Sequence, residues 1–430
     1  MNRFGLDTHL GAWTAAKDIA AGRRTAKGLV EQCLETIARL NPDVHAFVAY
    51  DAQHALDYAA KIDAGAYAGQ ALRGIPFAVK DVIETAAYDT TYGSPIYAGH
   101  RPSVNAACVQ RALDSGAVLM GKLATGEFAT QTPSQARNPL RLNHTPGGSS
   151  SGSAAAVSAG MVPVAFGTQT TGSIVRPAVY CGVVGYKPSF GMLGSAGMKT
   201  LSHSQDTLGL ITRDVRDAAF FSTGLLGAKM VEQATDAPHI AVCYSHQWDY
   251  VSEQGQAAIE RLAQKIERCG GKVSHIHLPA LLDELVLLQP RLFMFEALQN
   301  LAPEWHHHRE QLSPRLQARL QQATTISLNE YLDIRQRVEQ GKAVLAELLA
   351  HTDAILYPAA ADEAPEGLQE AGDPRFGALW SMLHVPSVSF PVELGNKGLP
   401  LGAQLIGRFA QDLRLLSVSR WLEDEVLNIL

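Results

Sequence analysis

Cysteine is scarce in this chain. There are five in 430 residues (Cys33, Cys108, Cys181, Cys243 and Cys269), an odd and scattered set with no Cys-x-x-Cys pair. A disulfide framework or a zinc ribbon needs closely spaced pairs, so both are excluded and the thiols read as reduced and mostly buried. Charge is thin as well, with 36 Lys and Arg against 42 Asp and Glu for a net −6. That balance offers no electrostatic footprint for nucleic acid or an anionic membrane. No apolar run approaches the ~20 residues of a spanning helix. The opening "MNRFGLDTHLGAWTAAKD" lacks the basic-then-apolar layout of a secretory leader. Internal repeats, long linkers and the phosphate-binding G-x-x-x-x-G-K-[ST] pattern are missing too. The expectation is a cytoplasmic globular protein with neither nucleic-acid nor membrane partners.

What is present is a core-forming composition, 46% hydrophobic. Residues 25–40 place Leu29, Val30, Cys33, Leu34, Ile37 and Leu40 on one helical face, with Thr25 as cap and Asn41-Pro42 as the end. Residues 51–64 read as a second helix. Strand character follows at 72–85, 117–123 and 162–169, and later at 239–244 and 354–358. Longer amphipathic helices are expected at 255–268 and 328–350. This alternation predicts an α/β body. The run His306-His307-His308 falls on an expected helix, where consecutive side chains diverge, so it reads as a solvated face and not a metal site.

The stretch "TPGGSSSGS" (145–153) holds four serines and three glycines. It matches G-x-S-x-G, yet the polar, proline-broken "SQARNPLRLNHTP" before it is no strand, so a nucleophile elbow is excluded. A flexible tether is excluded because the stretch runs directly into the Ala-rich "SAAAVSAGM". A second small-residue loop follows, "GTQTTGSIVRPA" (167–178). Two such loops, rich in free backbone N–H groups, predict two walls of one pocket able to surround an oxyanion.

With "GIPFAVKDVI" upstream and "LPLGAQLIGRFAQDLRLL" near the C-terminus, these segments resemble the amidase signature family from about residue 25 onward. The resemblance implies a twisted mixed β-sheet covered on both sides by helices. It implies one domain over 1–430: an N-terminal helical layer (1–66), a catalytic core (67–225) and a C-terminal part completing sheet and pocket (226–430). It implies Ser173 as nucleophile, Ser149 as proton relay and Lys80 as base; the spacing 173 − 149 = 24 residues favours Ser149 over Ser150 as the bridge. Such a lysine must be neutral, which burial among Ile75, Phe77, Val79, Val82 and Ile83 would favour. The implied oxyanion hole is the backbone of Thr170, Thr171, Gly172 and Ser173, with Thr171 standing where glycine is usual. Asp206 fits a structural motif supporting the serine loop.

Within the family the motifs are most similar to malonamidase: "GGSSSGSAAAV", "TQT-x-GS", and "GDPR-x-x-x-LW" at 372–380. That likeness implies Arg176 as a bidentate clamp on a substrate carboxylate, with Ser150 and Gln169 as further substrate-binding residues. It also implies a small-molecule amide substrate, no cofactor, no metal and a possible homodimer. The alternatives are the glutamine-hydrolysing component of an amidotransferase, feeding a partner that works on charged tRNA, a ureide or carbamate hydrolase, and an inactive binding module. Fatty-acid amide hydrolysis is disfavoured, since no anchoring helix precedes the domain.

Overall fold

The computed structural model describes residues 11–130, 132–228 and 236–427. Its strands are β1 (Phe47–Tyr50), β2 (Pro76–Lys80), β3 (Val118–Leu123), β4 (Val164–Gln169), β5 (Val184–Lys187), β6 (Thr207–Thr212), β7 (His239–Tyr244), β8 (Lys272–His277), β9 (Ala354–Pro358), β10 (Ser387–Leu394) and β11 (Pro400–Ile406). They form one mixed sheet in the order β1-β3-β2-β4-β6-β5-β10-β11-β9-β7-β8. β2 lies parallel to both β3 and β4, and β7 parallel to both β8 and β9; the remaining pairs are antiparallel.

Every residue of β2 to β6 is buried, so helices cover both faces of the sheet there. At the far edge β8 is exposed or half-buried throughout. The fold is α/β, as the resemblance implies.

The helical expectations hold with small shifts. Thr25 caps the helix Ala26–Val44 by accepting from the Gly28 N–H, and Asp51 caps Ala52–Asp63 by accepting from the His54 N–H. The first helix does not stop at Pro42. Proline there forfeits one N–H in the last turn, a small loss, and His45 closes the helix in the left-handed region with its N–H on Asn41 O. The strand character of 72–85 condenses to Pro76–Lys80, whereas 239–244 and 354–358 are strands over those residues. His306, His307 and His308 are exposed at the end of the helix Ala302–His307. Cys269 is the exposed cysteine, and the other four are buried.

Candidate active site

Two parallel neighbours, β2 and β4, end on the same side of the sheet, where open α/β sheets place their ligands. Lys80 is the last residue of β2, and Gln169 the last of β4. Over them lies the helix Ser151–Ser158, whose eight residues, Ser, Gly, Ala and one Val, are all buried, packed on β2, β3 and β4. Small side chains let this helix approach the strands closely and bring Ser149, just before it, over the end of β2. Lys80 Nζ donates to Ser149 Oγ at 2.7 Å and to Thr168 Oγ1 at 2.8 Å. Burial pushes the Lys80 ammonium down to about 7; Asp206 pulls it back up and Arg176 pushes it further down.

The first serine loop turns at Gly147, whose φ is +79°; a Cβ there would stand 2.8 Å from Pro177 Cα, so glycine is required on both counts. The following Gly148–Ser149 peptide is cis. Ser149, Thr170, Thr171, Ser173 and Arg176 line one cavity of about 410 Å³. Among the described residues, the backbone N–H groups of Thr171, Gly172 and Ser173 donate to no other protein group. Unspent donors beside a serine hydroxyl are of the kind that stabilises developing negative charge. Thr171 is not among the residues with positive φ, so its β-branched side chain carries no left-handed strain.

Two expected substrate contacts are not brought to the cavity wall. Ser150 Oγ is fully buried, donating to Thr168 O and accepting from Thr168 N, both at 3.2 Å. Gln169 Oε1 accepts from Ile174 N (2.8 Å) and Val175 N (3.1 Å), while its Nε2 donates to Ser381 Oγ (3.2 Å). Both side chains are consumed in shaping the second loop and the start of the helix Val175–Tyr180. Arg176 does line the cavity, but not as a bidentate clamp. Its Nε donates to Ala371 O (2.8 Å) and its Nη2 to Gly148 O (2.5 Å), leaving only Nη1 without a partner. The guanidinium fastens the two loops together and leaves Nη1 buried without a partner behind the cavity wall.

Sequence reasoning missed three residues. Thr168, on β4, is the second acceptor of Lys80. Gln289, on the helix Ala280–Asn300, donates to Thr171 Oγ1 at 3.0 Å. Arg319, on the helix Pro314–Ala323, lines the cavity with its guanidinium 5.7 Å from the Phe293 ring centroid. Among the described residues it has no hydrogen bond or ion pair, and burial together with Arg315 lowers its pKa. The third cavity arginine, Arg375, is neutralised by Asp373 at 2.5 Å and stacks on Tyr250. Asp206 supports the second loop: Thr170 Oγ1 donates to its Oδ1 at 2.5 Å, and Leu201 N and Ser202 N donate to its Oδ2.

Comparison with known proteins identifies the family. The family model described as Amidase matches residues 28–416. The chain is 29% identical to a glutamyl-tRNA(Gln) amidotransferase subunit from Oleidesulfovibrio alaskensis, over 96% of each chain. Among solved structures it resembles an amidase (TM-score 0.89, 28% identity, 97% of this chain and 100% of the other). It also resembles a peptide amidase from Stenotrophomonas maltophilia (TM-score 0.81, 26% identity, 98% of each). None of these is named as a malonamidase. The full-length sequence likeness is to an amidotransferase subunit, so the comparisons reach the family and not the finer likeness drawn from the motifs. The chain belongs to the amidase signature family and is a serine amidohydrolase.

Proposed function

We propose that Ser173 attacks the carbonyl carbon of a small amide whose acyl part carries a carboxylate. Ser173 gives its proton to Ser149 as Ser149 gives its own to neutral Lys80. The C–N bond breaks, the amine leaves with that proton, and water releases the acid from the acyl-enzyme by the reverse relay. The backbone N–H groups of Thr170, Thr171, Gly172 and Ser173 hold the oxyanion. What carries the reading is the 2.7 Å contact between a lysine pushed to about 7 and a serine in the same cavity as Ser173. No cofactor or metal enters this chemistry.

The carboxylate is supported by the cavity's cations. Among the described residues Arg319 lacks any anionic partner, and Arg176 has one unpaired N–H edge. A half-buried, uncompensated guanidinium is costly, and a substrate anion relieves that cost.

Malonamate fits this description, and so does glutamine. The second reading, an ammonia-supplying component that hydrolyses glutamine for a partner chain, is favoured by the full-length likeness to the amidotransferase subunit. Ammonia release from malonamate, malonamide, propionamide and glutamine decides between them. Malonamate should exceed malonamide by roughly ten- to a hundredfold in kcat/KM, the worth of a charge-assisted pair, and Arg319→Gln should close most of that gap. Preference for glutamine, together with co-purification of a partner, would instead favour the second reading. Equal rates on malonamate and malonamide would remove the carboxylate.

A further inference from the structure

A chain of hydrogen bonds leads from a buried carboxylate to the serine loop, and its direction is fixed at the carboxylate. Glu296 is fully buried and only accepts: from Ser202 Oγ (2.6 Å), Ser204 N (3.1 Å) and Tyr331 Oη (3.0 Å), with Arg335 Nη1 at 3.6 Å. Ser202 therefore spends its one hydrogen on Glu296 and must accept from its next neighbour. That neighbour is Gln205 Nε2, at 2.9 Å. Gln205 consequently turns its Oε1 the other way, where Gln289 Nε2 donates to it at 2.9 Å. The second hydrogen of Gln289 Nε2 falls on Thr171 Oγ1, at 3.0 Å.

Thr171 Oγ1 is thus held as an acceptor, and its own hydrogen is left over. Among the described residues no protein group accepts it. Thr171 is half-buried and lines the cavity beside Ser173, as does Gln289. The hydroxyl hydrogen has the cavity as its outlet.

We infer that the Thr171 hydroxyl is a substrate-facing donor, and that Gln289 is the positioning residue that aims it. The donor selects an acyl group with a second oxygen near the scissile carbonyl, one that can accept a hydrogen bond. Such oxygens belong to carboxylates and carboxamides alike, so this selection rests on the amidase reading but not on the arginines. It also explains why the loop carries threonine where glycine is usual: the side chain adds a contact that no backbone N–H supplies.

The test uses malonamide and isovaleramide, which match in shape while only malonamide offers the second oxygen. Neither bears a carboxylate, so the outcome is independent of whether Arg319 and Arg176 select an anion. The readout is the concentration of each amide that halves fluorophosphonate labelling of the full chain, which does not require turnover. Wild type should bind malonamide the tighter, and Thr171→Val should weaken malonamide by roughly three- to tenfold while leaving isovaleramide unchanged. Thr171→Ser restores a hydroxyl and should keep the preference. Gln289→Glu presents an acceptor to Thr171, captures its hydrogen and should mimic Thr171→Val. The double variant Gln289→Glu/Thr171→Val should be no weaker than Thr171→Val alone, because Gln289 acts through Thr171. Serine behaving like valine, equal losses on both amides, multiplying losses in the double variant, or no protection by either amide overturns the inference. If Gln289→Glu does not fold, the serine–valine comparison at Thr171 decides alone.

Discussion

Lys80 Nζ stands 2.7 Å from Ser149 Oγ and 2.8 Å from Thr168 Oγ1, and among the described residues no carboxylate pairs with it. A buried lysine held by two hydroxyls has little to stabilise its charge. It is therefore poised to accept a proton, and the relay proposed for Ser173 needs that state.

The rate should follow the neutral fraction of Lys80. With the amine pushed down to about 7 by burial, kcat/KM should climb about tenfold per pH unit below that point and level off above it. The sign is that of a required base: protonation on lowering the pH removes the acceptor. Initial rates of ammonia release between about pH 5 and 9 check this. A profile flat down to the acid end would rule out Lys80 as the base.

Asp206→Asn should move that acid limb to lower pH. Burial is the main influence on Lys80, and the Asp206 carboxylate opposes it by favouring the ammonium form. Removing the negative charge leaves the amine easier to deprotonate, so the limb shifts to lower pH. The same substitution weakens the bond to Thr170 Oγ1, and kcat should fall roughly three- to tenfold through a looser second loop. A limb that shifts to higher pH would contradict this electrostatic account.

The sequence brings some of these residues together plainly and hides others for physical reasons. The family resemblance pointed to Lys80, Ser149 and Ser173; the structure puts Lys80 at the end of β2 with its amine on Ser149, and Ser149 and Ser173 on the wall of one cavity. Ser150 and Gln169 share those motifs, yet their hydrogen bonds are consumed inside the loops; a motif names neighbours without saying which way each side chain turns. Arg319 and Gln289 were silent. Each sits on a helix far along the chain, where a lone arginine or glutamine reads as a solvated face until the helices fold over the cavity. The antiparallel pairing of β5 with β10 was equally hidden, since it joins residues 184–187 to residues 387–394.

Gly152→Ala tests whether close packing of the helix Ser151–Ser158 holds the site together. In an ordinary helix this change adds stability, about 1 kcal/mol from helix propensity. Here the added Cβ would lie 2.4 Å from Ala124 N, 2.6 Å from Ala46 O and 2.8 Å from Ala124 O. All three are backbone atoms, so no side chain can swing away, and Gly152 N itself donates to Ala124 O at 2.9 Å. Overpacking of this kind typically costs about 1–3 kcal/mol and forces the backbone to shift, which cancels or outweighs the propensity gain. The helix must retreat from β3, carrying Ser149 away from Lys80. Urea denaturation should show a net loss of up to about 2 kcal/mol, and kcat should fall by at least about tenfold in the protein that remains folded. Alanine that stabilises the chain, or leaves kcat unchanged, would mean that the helix does not set the distance between Ser149 and Lys80.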